Sequence, residues 1–162
     1  STAQALGGIE STSEHDSKLT HNAEQVIEAK SVLVGARILL VDDVMVNQIV
    51  AKAMLDNLGC VIDLASNGVQ ALELLTQALD SNPYQLILMD CQMPEMDGYQ
   101  TTGNIRTNTR YARYTGVPII AMTANAMKGD KERCLDAGMD DYIAKPVIPE
   151  ILEEKLKHWL SM

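Results

Sequence analysis

The chain has 162 residues, of which 46% are hydrophobic, and its 22 acidic and 13 basic residues give a formal net charge of −9. This length suits one folded domain plus a tail, with a core that needs no disulfide or metal support. The negative charge disfavours nucleic-acid binding, and no apolar run of about 18 residues predicts a membrane span. Three cysteines without a CxxC spacing indicate reduced thiols and a cytoplasmic location.

Residues 1–36 differ from the rest of the chain in composition. They are rich in Ser, Thr, Glu, Gly and Asn, which predicts a flexible polar linker. Only the apolar residues Val32, Leu33 and Val34 are expected to dock on the folded part. Residues 37–162 are expected to form one domain.

From residue 37 onward, short apolar runs alternate with segments of helical periodicity. The runs predict strands over residues 37–41, 61–65, 86–90, 117–122 and 142–144. Helices are predicted over residues 46–58, 68–79, 99–106 and 126–137, and from Pro149 to Leu160. The third helix is weak because Thr101, Thr102 and Gly103 are poor helix formers, and residues 107–116 are expected to form a polar loop. Five strand–helix alternations predict a parallel sheet with helices on both faces.

Polar side chains follow four of the predicted strands. Asp42 and Asp43 follow the first strand, Asp90 ends the third, Thr123 follows the fourth and Lys145 follows the fifth. Taken alone, a strand-end aspartate such as Asp90 is a metal ligand, a nucleophile or a helix cap. In a doubly wound sheet of order 2-1-3-4-5, however, the first and third strands are neighbours at the switch point, where ligands bind. The carboxylates are therefore expected to share one crevice.

Three carboxylates so close together repel one another, which raises a pKa or recruits a cation. A hard divalent ion with oxygen ligands and some retained water fits them best, and this description matches Mg²⁺. The ion, a lysine and a hydroxyl together form a cradle for a dianionic oxygen group. Since a carboxylate can attack phosphorus to form an aspartyl-phosphate, the pattern favours phosphoryl transfer.

Four motifs carry a resemblance to a known family. They are Val41-Asp42-Asp43, Met89-Asp90-Cys91-Gln92-Met93-Pro94, Met122-Thr123-Ala124 and Ala144-Lys145-Pro146. In this order they resemble the CheY-like receiver domain of two-component response regulators, over about residues 37–160. The resemblance implies a doubly wound (βα)5 flavodoxin-like fold with a five-stranded parallel sheet of order 2-1-3-4-5.

The resemblance also implies roles for single residues. Asp90 would accept a phosphoryl group from a phosphohistidine, while Asp43, Asp90 and the backbone carbonyl of Gln92 hold Mg²⁺ and Asp42 acts through water. Lys145 would pair with the phosphoryl oxygens. Thr123 and Tyr142 match the family's switch pair, in which the threonine moves to the phosphoryl group and the aromatic ring turns inward. The remaining implications are a cis peptide at Lys145-Pro146 and tuning of phosphoryl lifetime by Gln92 and Asn125.

Longer tracts resemble the C-terminal receivers of hybrid histidine kinases. These tracts are Met122-Thr123-Ala124-Asn125-Ala126-Met127, residues 89–98 and Tyr142-Ile143-Ala144-Lys145-Pro146. The partners implied are a histidine kinase domain, a histidine phosphotransfer protein, or both. The parent would then be a sensor, with this part on the cytoplasmic side and without membrane contact of its own. The fragment itself would be a self-phosphorylating acceptor rather than a turnover enzyme.

Other interpretations remain beside this one. A haloacid-dehalogenase-type phosphatase needs a second acid two residues after the nucleophile, where this chain has Gln92. A receiver fold that signals through a standing interface without phosphorylation remains open, as does a stand-alone response regulator. Tyr142 is alternatively a half-buried aromatic at the sheet edge. Cys91, beside the acceptor, is interpreted as a small buried hydrophobic residue.

Overall fold

The computed structural model describes residues 32–78, 81–124 and 128–161. Five strands and five α-helices alternate along this part of the chain. The strands are β1 (Arg37–Val41), β2 (Val61–Ala65), β3 (Leu86–Asp90), β4 (Ile119–Thr123) and β5 (Asp141–Ala144). The helices are α1 (Met45–Asn57), α2 (Gly68–Ala78), α3 (Gly98–Thr107), α4 (Lys128–Asp136) and α5 (Pro149–Leu160).

The strands form one parallel sheet in the order β2-β1-β3-β4-β5, which confirms the predicted fold. On one face, strand residues such as Leu39 and Ile87 pack with residues of α2, α3 and α4, among them Leu75, Ile105 and Cys134. Alternate strand residues point to the other face, which right-handed crossovers cover with α1 and α5. The three interior strands β1, β3 and β4 are thus largely buried on both sides.

Part of the apolar periodicity that predicted α1 faces away from the core. The buried residues of this helix are Gln48, Ala51 and Leu55, whereas Val46 and Ile49 are 67% and 61% exposed. A helix can pack one face against the core and still carry apolar residues on its outer face. Apolar periodicity alone therefore predicted the helix correctly, but it did not predict which face of the helix packs against the core.

Residues 107–116 are not the plain polar loop that their composition suggested. Thr109–Tyr114 forms a 3₁₀ helix, and the side chain of Asn108 accepts a hydrogen bond from the Arg110 N–H at 3.0 Å. Within this helix Tyr111 and Tyr114 are 6% and 0% exposed. Burying two aromatic rings stabilises an ordered segment that local propensity does not favour.

The weak third helix forms because its N-terminus is capped. The Asp97 carboxylate accepts from the Gln100 N–H at 2.8 Å, and the Gln100 side chain accepts from the Asp97 N–H at 3.1 Å. This reciprocal capping box satisfies two otherwise unpaired donors. Thr101 and Thr102 are also fully buried, so tertiary packing outweighs their low helix propensity.

Gly98 begins α3 directly behind the end of β3. A Cβ atom at this position would clash with the carbonyl oxygen of Asp90 and lie 3.0 Å from the Cα of Cys91. We expect Gly98→Ala to lower the free energy of unfolding by about 2 kcal/mol, because backbone atoms must move to admit the methyl group. Urea denaturation followed by circular dichroism measures this loss.

Gly103, in the same helix, provides the matched control. Its added Cβ would have no heavy atom within 4 Å. Gly103→Ala is therefore expected to raise the free energy of unfolding by about 0.5 to 1 kcal/mol through helix propensity. A loss of stability in both variants would contradict the steric explanation for Gly98.

Several expectations fall at or beyond the edge of the described residues. Residues 1–31 of the linker expected over 1–36 lie outside the described part. Asn125 and the start of the fourth predicted helix also lie outside it. Within the described part, Leu33 is fully buried and the Gly35 N–H donates to the Gly59 carbonyl at 2.8 Å. In the same part, no helix combines the length and apolar character that a membrane crossing requires.

Candidate functional site

Strand register brings the acidic residues to one edge of the sheet. Val41 of β1 pairs with Met89 of β3, so the next residues, Asp42 and Asp90, lie side by side at the carboxyl ends of these strands. This position is the topological switch point of the sheet, because β1 is followed in sequence by β2 on one side and neighbours β3 on the other. The predicted crevice is therefore present.

Lys145 follows the edge strand β5, and its side chain contacts two of the carboxylates. Its backbone N–H donates to the Thr123 carbonyl at 2.8 Å, which fixes the residue just beyond β5. Its ammonium nitrogen lies 3.1 Å from Asp90 Oδ1 and 3.3 Å from Asp42 Oδ2. The peptide bond to Pro146 is cis, as predicted.

Asp42, Asp43 and Asp90 form an acidic cluster. One carboxylate oxygen from each lies within 4.8 Å of the others. Asp42 and Asp90 are 2% and 3% exposed, whereas Asp43 faces solvent. Asp42 is held in place because its Oδ1 accepts from the Val44 N–H at 2.9 Å. Three hard oxygen donors with one side open to water fit a divalent cation such as Mg²⁺.

Burial is the main cause of the altered acidity at this site. It raises the pKa of Asp90 to about 6, against the lowering effect of Lys145 and with a further upward contribution from Asp42. The sequence pattern predicted that carboxylate repulsion would raise a pKa or recruit a cation; at Asp90 burial is the larger cause of the raised pKa, and repulsion by Asp42 contributes less. Burial by itself would lower the pKa of Lys145, but its attraction to Asp90 and Asp42 outweighs this and raises it.

The two predicted switch residues lie on neighbouring strands beside the cluster. Thr123 ends β4 and is 6% exposed, and its partner in the register is Ala144 of β5. The Thr123 hydroxyl donates to Asp130 Oδ2 of α4 at 3.4 Å. Tyr142 is half-buried against the core, with the ammonium groups of Lys131 and Lys155 5.7 and 5.6 Å from its ring centre.

Gln92 and Cys91 follow Asp90 in the chain. The Gln92 N–H donates to Asp90 Oδ1 at 3.2 Å, and its side chain faces solvent. Cys91 is 2% exposed, which confirms its interpretation as a buried residue, and its sulfur lies 3.8 Å from that of Cys134. Burial raises the pKa of the Cys91 thiol to about 12, so this thiol is not a nucleophile at neutral pH.

Two residues that support the site were not found from the sequence. Gln48 is buried in α1 and donates to the Asp42 carbonyl at 2.6 Å and to Ser66 Oγ at 3.1 Å. Its place on the same helical face as Ala51 and Leu55 was a usable indication, because a polar residue at a core position needs a partner. Asp130 gave no comparable indication, since an acid in the first turn of a helix is common.

The fold and the site together define a CheY-like protein of the flavodoxin-like class, with an acidic cluster and a lysine at the switch point. A family model described as the response regulator receiver domain matches residues 38–157. The chain therefore belongs to the response regulator receiver family.

Curated relatives are much longer than this chain. It is 40% identical over 124 residues to "Probable histidine kinase 2" of Oryza sativa subsp. indica, a match that covers 70% of this chain and 12% of that protein. It is 38% identical over 138 residues to "Hybrid signal transduction histidine kinase L" of Dictyostelium discoideum, which covers 85% of this chain and 8% of that protein. The chain thus spans about a tenth of the relatives' length.

Solved structures agree with this assignment. The receiver domain of sensor histidine kinase PA1611 from Pseudomonas aeruginosa PAO1, with magnesium coordinated in its active site cleft, is 45% identical with a TM-score of 0.67. That match covers 80% of this chain and 100% of the other. The Saccharomyces cerevisiae receiver domain of Ssk1, crystallised with the histidine phosphotransfer protein Ypd1, has 28% identity and a TM-score of 0.68 over 80% of this chain and 91% of the other.

Proposed function

We propose that this chain is the Mg²⁺-dependent phosphoacceptor of a two-component phosphorelay, with Asp90 as the acceptor. The observation that carries this proposal is the environment of Asp90. Its carboxylate ends a central strand, is almost fully buried, and lies 3.1 Å from the Lys145 ammonium group within the acidic cluster. A buried carboxylate beside a cation and further acids is the expected arrangement for a strand-end nucleophile toward phosphorus.

The chain's own residues account for most of the transfer chemistry. An oxygen of Asp90 attacks the phosphorus of a phosphohistidine, the phosphorus–nitrogen bond breaks, and the electron pair remains on the leaving imidazole. Lys145 moves from the carboxylates to the phosphoryl oxygens, and the Thr123 hydroxyl donates a hydrogen bond to one of them. These contacts hold the reacting group in line and neutralise its charge.

Mg²⁺ is the cofactor that fits the cluster. Asp43, Asp90 and the Gln92 backbone carbonyl are the proposed ligands, and Asp42 acts through a bound water. The ion supplies positive charge against the three carboxylates and the incoming phosphoryl oxygens. The magnesium in the related PA1611 receiver domain supports this assignment.

Phosphorylation would alter a surface of the domain rather than produce a released product. Thr123 and Tyr142 are the proposed switch pair, and both lie next to α4. When Thr123 turns to the phosphoryl group, the space that it leaves favours an inward position of the Tyr142 ring. The population of one pre-existing arrangement of α4 and β5 then rises at the expense of the other.

The test of this function uses the full chain and a small phosphoryl donor. Intact mass spectrometry after incubation with acetyl phosphate is expected to reveal one phosphoryl adduct in the presence of Mg²⁺ and none in EDTA. If no adduct forms, a phosphorylated histidine phosphotransfer protein is used as the donor. Failure with both donors would contradict the proposed function and favour a receiver fold that acts through a standing interface.

The proposed donor is a histidine kinase domain or a histidine phosphotransfer protein. An apolar outer surface on α1 begins two residues after Asp43. It consists of four residues whose side chains are 72%, 67%, 61% and 46% exposed, in the order Met45, Val46, Ile49 and Val50. Exposed apolar area of this kind, beside a reactive site, is typical of a protein-binding surface. The Ypd1 complex of the related Ssk1 receiver domain supports a partner of this kind.

The outer surface of α1 yields a prediction that separates docking from chemistry. Ile49→Asp is expected to slow phosphoryl transfer from a phosphorylated phosphotransfer protein at least tenfold, because a charge replaces an apolar contact at the interface centre. Labelling by acetyl phosphate, which needs no docking, is expected to stay at the wild-type rate. Autoradiography of the transfer reaction and intact mass spectrometry measure the two rates.

Val69 on α2 provides the control for this variant. Its side chain is 43% exposed, but it belongs to a helix on the other face of the sheet. Val69→Asp is expected to leave both rates unchanged. Equal slowing by Ile49→Asp and Val69→Asp would show that the donor does not dock on α1.

We further propose that the parent is a hybrid histidine kinase, in which this domain acts as acceptor and not as a turnover enzyme. The names of the curated relatives support this origin. The domain is proposed to occupy residues 37–162, preceded by a linker over 1–36, with Leu33 docked against it. This domain is proposed to lie on the cytoplasmic side of a membrane-anchored parent.

A further inference from the structure

The first turn of α4 contacts both proposed switch residues. Asp130 accepts the hydrogen bond from the Thr123 hydroxyl at 3.4 Å, and the next residue, Lys131, places its ammonium group 5.7 Å from the centre of the Tyr142 ring. Thr123 is buried, whereas Asp130 is only half-buried. Two consecutive residues of one helix thus interact with the two proposed switch residues.

A threonine hydroxyl has a single proton to donate. In this arrangement the Thr123 hydroxyl donates to Asp130 Oδ2, and a proton donated there is not available to a phosphoryl oxygen on Asp90. Donation to the phosphoryl group and donation to Asp130 exclude each other. Whatever free energy the bond to Asp130 contributes therefore stabilises the unphosphorylated arrangement alone.

We propose that Asp130 is a positioning residue that holds Thr123 in the unphosphorylated arrangement and so limits the rate at which Asp90 is phosphorylated. The inference rests on the proposed function of Asp90 and Thr123. Asp130 touches neither the phosphoryl group nor the cation; it acts through the threonine. Lys131 reinforces the same state from the neighbouring position by its attraction to the face of the Tyr142 ring.

A purely structural role for Asp130 predicts different behaviour. An acid in the first turn of a helix stabilises that helix through the helix dipole. Such an effect is independent of the hydroxyl group of Thr123. The positioning role requires this hydroxyl, so the two roles are separated by removing it.

The experiment compares initial rates of labelling by acetyl phosphate at saturating Mg²⁺, measured by intact mass spectrometry on the full chain. Asp130→Ala is expected to raise the rate about threefold, because losing a long hydrogen bond to a charged group shifts the population toward the arrangement that accepts the phosphoryl group. Glu132→Ala, which removes the same charge from an exposed position on the same helix, is expected to leave the rate unchanged.

The decisive arm repeats Asp130→Ala in a Thr123→Val background. Valine keeps the shape of threonine but has no hydroxyl, so Asp130→Ala is expected to have no effect on the rate there. A wild-type rate for Asp130→Ala, or the same increase with and without the hydroxyl, would overturn the inference and leave the proposed function intact. A wild-type chain that takes up no label from either donor would overturn both.

Discussion

Asp90→Asn is expected to abolish the Mg²⁺-dependent phosphoryl adduct completely. The amide cannot attack phosphorus, and neighbouring Asp42 is tied to the Val44 N–H at 2.9 Å and to Lys145 at 3.3 Å. Intact mass spectrometry after incubation with acetyl phosphate makes the comparison. Asp136→Asn, a change at an exposed aspartate on α4, serves as the control and should label like the wild type. An adduct on the Asp90→Asn protein would move the acceptor to another carboxylate.

The same variant is expected to be more stable than the wild type at neutral pH without Mg²⁺. Burial raises the pKa of Asp90 from 3.8 to about 6, so ionising this group in the folded state costs about 3 kcal/mol. The folded state holds the Asp90 proton more tightly than the unfolded state does. The free energy of unfolding of the wild type therefore falls by about 3 kcal/mol as the pH rises from about 4 to about 6.

Urea denaturation of the wild type and of Asp90→Asn in EDTA, at several pH values, measures this difference. The gain from the substitution should be small near pH 4 and reach about 3 kcal/mol at pH 7, because the raised pKa of Asp90 already includes the attraction of Lys145. Adding Mg²⁺ should favour the wild type, because a ligand stabilises the state that binds it. A pH-independent difference would contradict the raised pKa.

Lys145→Gln is expected to slow labelling by acetyl phosphate about 100-fold, the size of effect that follows from losing one preorganised donor to a developing negative charge. Binding of Mg²⁺ should persist or tighten, since the ammonium group competes with the cation for Asp42 and Asp90. Mass spectrometry gives the rate, and isothermal titration calorimetry gives the affinity.

Lys157 offers the matched control for this loss of charge. It pairs with Glu153 at 3.0 Å within α5 and lies outside the site. Lys157→Gln should label at the wild-type rate. A loss of both labelling and Mg²⁺ binding in Lys145→Gln would mean that the lysine maintains the fold of the site rather than acting on the phosphoryl group.

The proposed functional residues fall into a buried charged group and an exposed apolar group. The proposed chemistry depends on buried charges, and the buried Asp90 carboxylate costs stability in the free protein because burial raises its pKa. The proposed docking surface on α1 instead depends on exposed apolar residues close to Asp43. Substitutions in the first group should change labelling by any donor, and those in the second should change transfer from a protein donor alone.

The order of the elements and the residues at the strand ends follow from the amino-acid pattern alone. Apolar runs of four or five residues marked the buried strands, and their alternation with helices predicted the parallel sheet that the structure has. Parallel strands all end at one edge of the sheet, so the sequence alone groups Asp42, Asp90, Thr123 and Lys145. Local pattern and topology are sufficient for these features because they depend on chain direction and residue type.

Which faces are buried and which polar groups meet depends instead on long-range packing. The apolar stripe of α1 proved to be partly an outer surface, and the segment before β4 forms a 3₁₀ helix because it buries two tyrosines. The partners of Gln48 and Asp130, which are Asp42 and Thr123, became apparent only from the packing, although the helical position of Gln48 indicated that it needed a partner. Such contacts, like the pKa of Asp90, depend on how distant segments pack and exclude water, which no local sequence pattern encodes.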